Sequence, residues 1–415
     1  MRINWSNFDW VSVFLYVLLV FFGWVNICSA SSANTEIISF FDLSHFYGKQ
    51  ALWIGLGIVM IIMLLSLDAK FFERFSGLIY ILAILSLVLV LIIGQKISGA
   101  RSWFSFGGMS IQPSEFVKAA TALALAKYVG DLNTNITRFN HQLRAFFIIG
   151  LPAFLILLQP DAGSALVFSA LLFSLYREGV TGIYFFVGFL AIGLFLATLY
   201  LGAFYVCIGV FLVQLLVYYF SNKKSKTRMF FMAAFMVLVA YVYSVSYVFY
   251  NVFEQHHRDR IHVVLGLKKD SRGIGYNTIQ SEIAIGSGGW WGRGWQQGTQ
   301  TRGGFVPEQH TDYIFSAVGE EWGFIGSAAT VIVFIALILR IIYVSERQKT
   351  QFNRVYGYSI ASIFFVHFFV NIGMVIGLLP TVGIPLPFFS YGGSGLWAFT
   401  ILLFIFLKLD LHRLD

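Results

Sequence analysis

Apolar residues run along this chain in long blocks and do not alternate. Segments 9–29, 49–67, 77–95, 114–130, 144–159, 163–177, 183–202, 204–220, 229–250, 312–342, 355–379 and 391–409 are each apolar. At about 15–25 residues apiece, with 312–342 long enough to tilt strongly, they are read as bilayer-crossing helices. A backbone in hydrocarbon finds no water to bond to, and a helix satisfies its own polar groups. The pattern therefore predicts an all-α integral membrane protein, a polytopic bundle of about 12 spans forming a single membrane domain over 1–415. The first block is longer than the apolar region of a signal peptide, so it is read as a retained first helix.

The polar intervals orient the bundle. Lys70 and Arg74, Lys127, Arg138 and Arg144, Arg177, Lys223 to Arg228, Arg340 to Arg354, then Lys408 and Arg413 all fall on one set of connections. The opposite turns carry no such excess, so the positive-inside rule puts both termini in the cytoplasm. Segments 96–113, 160–162, 251–311 and 380–390 then face outside, where no nucleotide is available. The long loop 251–311 is the largest of them. From Gln280 to Gly323 it is crowded with glycine, which permits tight turns or a close approach to a ligand. A structured loop of this length is more often functional than idle.

Composition sharpens the class. Hydrophobic residues make up 58% and charged residues 12% of the 415, against roughly 25% charged in soluble domains. The formal charge of +8 is accounted for by the basic cytoplasmic loops and implies no nucleic acid. Cys28 and Cys207 both lie in or beside apolar segments, which argues against a disulfide, and no metal-ligand spacing is present.

The candidate chemistry lies in the outward segments. Pro113 suits a first helical turn, which puts Glu115 near the positive end of the helix dipole and Lys118 on the same face. The two are either an ion pair that satisfies charges dipping into the bilayer or part of a phosphate site with Arg101. Asp161, after Pro160, is either a turn and N-cap or a carboxylate lining the same cavity. Arg258 and Arg260 are either snorkelling anchors or anion ligands. In the polar knot at 307–312, His310 and Thr311 precede Asp312. Thr311 could cap the next helix with Asp312 in its first turn, or Asp312 could be a general base at the membrane surface. Glu320 and Glu321, two turns deeper, read as structural. Segment 379–394, with three prolines and Ser390, reads as irregular backbone walling a binding site.

Taken in order, GARSW, QPSEFVK, QPDAGSALV, HRDRI, GIGYNTIQSEIAIGSGGWWGRG, FVPEQHTDYIFSAVGEEWG and LPTVGIPLPFFSYGGSG resemble the SEDS family (shape, elongation, division, sporulation) over nearly the whole chain. IAIGSGG followed by GTQ is most similar to its RodA-like branch. The resemblance implies a peptidoglycan glycosyltransferase of the cytoplasmic (inner) membrane that polymerises lipid II at its outer face during elongation. It implies Asp312 as the indispensable carboxylate. Arg101, Trp103, Glu115 and Lys118 fall on family motif positions, and Asp161, Arg258, Gln280, His310, Thr311 and Ser390 are expected to bind substrate or its pyrophosphate. A class B penicillin-binding transpeptidase and other elongation-complex membrane proteins are the implied partners. The resemblance fixes no certain cofactor; a divalent cation, Mg or Mn, on the pyrophosphate is compatible with it. The rival readings are a lipid II flippase and a non-catalytic scaffold for the transpeptidase. Such proteins usually show about ten spans, whereas interval 178–250 holds three apolar stretches where one is usual. This predicts an added transmembrane hairpin near 183–228.

Overall fold

The computed structural model describes residues 8–31, 40–97, 100–106, 109–221, 225–251, 253, 255–265, 267 and 275–413. The expected basic hairpin turn at 222–224, the Gly99 position and segment 268–274 lie outside the described residues.

The chain divides into two compact units, one of residues 1–180 with 277–415 and the other of residues 181–276. The larger contains α1 (Trp10–Ser31), α2 (Phe46–Ser66), α3 (Ala69–Ile93), α4 (Pro113–Val129), α5 (Phe139–Leu157), α6 (Ala162–Val167) and α7 (Leu171–Arg177). The smaller holds α8 (Ile183–Leu201), α9 (Ala203–Phe220), α10 (Ser225–Asn251) and α11 (Gln255–Val264). The chain then passes through α12 (Tyr276–Gly288) back into the larger unit, which ends with α13 (Thr299–Gly303), α14 (Ile314–Glu346), α15 (Gln351–Val375) and α16 (Gly393–Leu411).

All twelve apolar blocks are helical. Among the described residues ten helices are long and apolar enough to cross a membrane. The remaining two blocks, 114–130 and 163–177, are shorter: α4 has 17 residues, and α6 and α7 are separated by a 3-10 turn at Phe168–Ala170. The interval 251–311 is also not plain loop, because α11, α12 and α13 fall within it.

Within the larger unit the helices run antiparallel, so their ends gather at two poles. At one pole α1 begins, α7, α14 and α16 end, and α15 begins. Ion pairs, three of them buried or half-buried and the Arg177–Glu346 pair exposed, tie them together there. Arg340 holds Asp9 at 2.5 Å, Arg347 holds Asp410 at 2.5 Å, Arg354 holds Glu178 at 2.9 Å and Arg177 holds Glu346 at 2.8 Å. At the other pole α4, α6, α14 and α16 begin and α15 ends, and the sequence motifs collect there.

That second pole also carries the only sheet among the described residues, a three-stranded antiparallel meander of β1 (Gln95–Ile97), β2 (Ala100–Phe106) and β3 (Met109–Ile111). Arg101 and Trp103 stand on β2, opposite Lys96 and Gln95. The meander is pinned to α16, whose Ser394 Oγ donates to Ser110 O at 3.1 Å and accepts from Gln112 N at 3.2 Å.

In the smaller unit α8, α9 and α10 pack together, followed by the ten-residue α11. Tyr241 of α10 donates to Ala191 O of α8, and Phe235 of α10 meets Phe211 of α9 edge-on.

Candidate active site at the motif pole

The carboxylate singled out by the sequence sits in a turn, outside the helix it was expected to open. The turn at Pro307–Tyr313 closes when Thr311 N and Tyr313 N both donate to Glu308 O. Helix α14 starts only at Ile314, with Tyr313 as its N-cap. Thr311 therefore does not cap it: its hydroxyl donates back to Glu308. The capping account of Thr311 and Asp312 is corrected by this geometry, and Asp312 stands half-buried on irregular backbone.

Segment 380–390 lies across that turn. Ser390 Oγ donates to Thr311 O at 2.8 Å while accepting from Leu386 N, and Tyr391 N donates to His310 O at 2.9 Å. His310 is held edge and face by aromatics, stacking on Phe46 at 4.2 Å between centroids and lying 5.7 Å from Tyr391. Burial pulls its pKa below the usual histidine value, partly offset by the Glu308 charge. Gly383 takes a φ of +76°, and a Cβ added there would lie 3.5 Å from Asp312 Oδ2. Glycine thus lets the backbone pass beside the carboxylate in a left-handed conformation.

Asp161 comes to the same place. A Cβ on Gly163 would meet Val382 O at 2.6 Å, so the 160–163 turn packs onto the segment beside Asp312. Asp161 caps α6, its Oδ1 accepting from Ser164 N, while its Oδ2 accepts from Gln112 Nε2, each at 2.9 Å. Behind these lies Asn371 of α15, fully buried, whose Nδ2 donates to Asp312 O at 2.8 Å and to Ile384 O at 2.7 Å.

Glu115 and Lys118 are 3% and 1% exposed and bonded to each other at 2.8 Å. Lys118 Nζ also bonds His367 Nε2 at 2.9 Å and lies over the Phe399 ring at 4.9 Å. Its ammonium is therefore committed to protein partners, and a phosphate could touch it only by displacing one of them. A buried pair this close is stabilising only because both charges remain matched; removing one partner typically costs about 3–5 kcal/mol.

The glycine-rich stretch has a structural use. Helix α14 breaks at Gly323, where φ is +63° and ψ −158°. The break frees two carbonyls and two amides, and segment 289–294 bonds all four. Arg293 N and Gly294 N donate to Glu320 O and Glu321 O, while Phe324 N and Ile325 N donate to Gly289 O and Trp290 O. Side chains are excluded because a Cβ on Gly292 would stand 2.1 Å from Glu321 O. Glu320, fully buried, then receives Gln300 N, Thr301 N and both the Thr299 and Thr301 hydroxyls. Glu321 receives Ser29 Oγ.

Arg101, Trp103 and Gln280 belong to the same unit as this cluster. Arg101 is exposed and reaches Leu91 O at 3.5 Å, and Trp103 is half-buried on the meander. Gln280 is half-buried on α12, two residues from Thr278, which joins Tyr313 and Thr381 in a hydroxyl network. Arg258 belongs to the smaller unit, where its Nη1 donates to Tyr250 O at 3.0 Å. The sequence reading missed His367, which sits inside an apolar run with no polar neighbour in sequence to mark it. Among the described residues no three His, Cys, Asp or Glu side chains converge as metal ligands. A separate apolar pocket of about 370 Å³, walled by Phe21, Trp24, Phe40, Trp295 and Trp322, holds none of the polar cluster.

Ten helices long and apolar enough to cross a membrane, among the described residues, define a multi-pass membrane protein, and a half-buried carboxylate stands at one pole of its larger unit. The chain belongs to the Cell cycle protein family of FtsW, RodA and SpoVE, whose profile matches residues 9–207 and 178–414. It is 33% identical to the peptidoglycan glycosyltransferase MrdB of Escherichia coli K12 over 87% of this chain and 84% of that one. It is 29% identical to the peptidoglycan glycosyltransferase RodA of Treponema pallidum, over 99% of each. Among solved structures it resembles a chain from a study of how a peptidoglycan synthase complex coordinates polymerization and crosslinking, with TM-score 0.67, 28% identity and 98% of both chains covered. It shares its fold with the rod shape determining protein RodA of Thermus thermophilus, at TM-score 0.62, 23% identity and 99% of both chains.

Proposed function

We infer that this chain is a RodA-like peptidoglycan glycosyltransferase, a multi-pass protein of the cytoplasmic membrane that polymerises lipid II at its outer face. The observation that carries the reading is the seating of Asp312. Its carboxylate lies at one pole of the bundle beside the Gly383 backbone, with its own carbonyl fixed by Asn371. The opposite pole carries the arginine-rich ion pairs, which fits that pole to the cytoplasm.

Joining two lipid-linked sugars requires a more nucleophilic acceptor hydroxyl and a stabilised pyrophosphate leaving group. The donor brings its own activated bond, so no nucleotide is consumed. Asp312 accepts the proton of the acceptor sugar's hydroxyl as that oxygen attacks the donor's anomeric carbon and the anomeric carbon–phosphate oxygen bond breaks. General-base help of this kind contributes about 10²–10⁴-fold. The exposed Arg101 favours the charge developing on the pyrophosphate, while Lys118, held by Glu115 and His367, supports segment 380–390 from behind. Asp161 and Gln112 orient the sugar from the neighbouring turn. The partner proposed for the growing strand is a class B penicillin-binding transpeptidase, together with other elongation-complex membrane proteins. The added hairpin near 183–228 is proposed as a surface special to this chain. The two profile matches overlap over 178–207, which supports extra residues there.

The test is to incubate the purified protein, alone and with its transpeptidase, with labelled lipid II. Glycan chains support the enzyme. Transfer of lipid II across liposomes without chain growth would establish a flippase instead, and crosslinking that needs the protein but not Asp312 would establish a scaffold.

A further inference from the structure

We propose that His367 is a positioning residue for this polymerisation, locking the buried Lys118 ammonium to the backbone that passes beside Asp312. The inference rests on the polymerase reading and adds a residue to it.

The bonding is directional. Pro385 O can only accept, so the 3.0 Å contact to His367 Nδ1 requires a proton on that nitrogen. Lys118 Nζ can only donate, so the 2.9 Å contact requires Nε2 to be the acceptor. Both are met by one neutral tautomer, and the ring is 1% exposed. Phe399 packs edge-on against the imidazole at 4.8 Å and offers its face to Lys118.

The second observation is the register of α15. His367 and Asn371 are four residues apart, so they share a helix face. Asn371 grips Ile384 O and His367 grips Pro385 O, two consecutive carbonyls of one segment. The same two side chains reach away from that segment in two directions, Asn371 to Asp312 O and His367 to Lys118 Nζ. One rigid helix face therefore sets the base, the passing backbone and the buried charge in a single relation. A histidine that merely filled the core would not need partners on both sides of the reacting centre. Small misplacements at such a centre can cost about 10²-fold in rate.

The experiment compares His367→Phe, which keeps the ring's bulk but removes both bonds, with His367→Gln, whose amide can still donate and accept. In the purified full-length protein with its transpeptidase, His367→Phe is expected to lower kcat for lipid II by about 10- to 100-fold with KM nearly unchanged. His367→Gln is expected to restore most of the rate. In a Lys118→Met background the His367→Phe change should have little further effect on kcat, because the two act as a unit. Hydrogen exchange of segment 381–386 provides a readout free of catalysis: faster with His367→Phe, near wild type with His367→Gln. Unchanged exchange in His367→Phe, or a full rate per folded molecule, would overturn the proposal. If the wild-type protein makes no glycan, the polymerase reading fails, while the exchange arm still decides whether His367 fixes the segment. Should His367→Phe not fold, His367→Asn, able to reach only one partner, replaces it with the same readouts and outcomes.

Discussion

The backbone at Asp312 is fixed on both sides, since Asn371 bonds its carbonyl and Ser390 bonds that of Thr311. Its neighbour His310 supplies a prediction about pH. Burial lowers the His310 pKa in the folded protein, so the neutral ring is the form the fold favours. Stability from this group is present above the unfolded value near 6.5 and is lost as pH falls through the depressed folded value. Acidification is therefore expected to loosen the Phe46–His310–Tyr391 stack and lower polymerisation, and His310→Phe should flatten that acid limb of the pH–rate profile. An unchanged acid limb would remove His310 from the account. At this scale the sequence was informative where a polar group interrupts an apolar block at a turn, as with Asp161, Asp312 and Ser390. It was silent on His367, because a lone histidine at helical spacing among phenylalanines looks like core until its partners from α4 and segment 380–390 are seen.

At the scale of elements, the glycines of 286–294 illustrate what a pattern can and cannot convey. Their density announced close approach, and close approach occurs, but to the broken rungs of α14 and with no ligand needed to explain it. The break itself was hidden inside an apolar run whose length suggested only tilt. Gly323→Ala is expected to be strongly destabilising, since an L-residue in that conformation costs about 1–3 kcal/mol and its Cβ would stand 2.3 Å from Gly292 N. A thermal unfolding temperature equal to wild type would contradict the docking described. Glu320→Ala removes the acceptor of two backbone amides and two hydroxyls around α13. Leaving such groups unpaired costs about 1–3 kcal/mol each, and faster amide exchange over 299–304 is the expected signature. The meander at 95–111 was read only as outward loop, since β1 and β3, at three residues each, are too short to show an alternating pattern beside β2.

For the whole molecule, helical class and span positions were legible because the bilayer imposes one length and one polarity on every crossing. The sorting of helix ends into an arginine-rich pole and a motif pole also followed from loop charge. Which turns touch within the motif pole did not, because those contacts join residues as far apart as Gln112 and Ser394. Orientation is testable in a Cys28→Ala, Cys207→Ala background. A cysteine at Glu308 should react with a membrane-impermeant thiol reagent in intact cells, and one at Lys349 only after permeabilisation; the reverse pattern would turn the site toward the cytosol. The most direct test of the central claim is the single-turnover rate of glycosidic bond formation by Asp312→Asn, with folding verified by its unfolding temperature. Asp312→Asn is expected to fold, to bind lipid II and to join it at least about 10²-fold more slowly; a folded Asp312→Asn enzyme working at the wild-type rate would rule out Asp312 as the base.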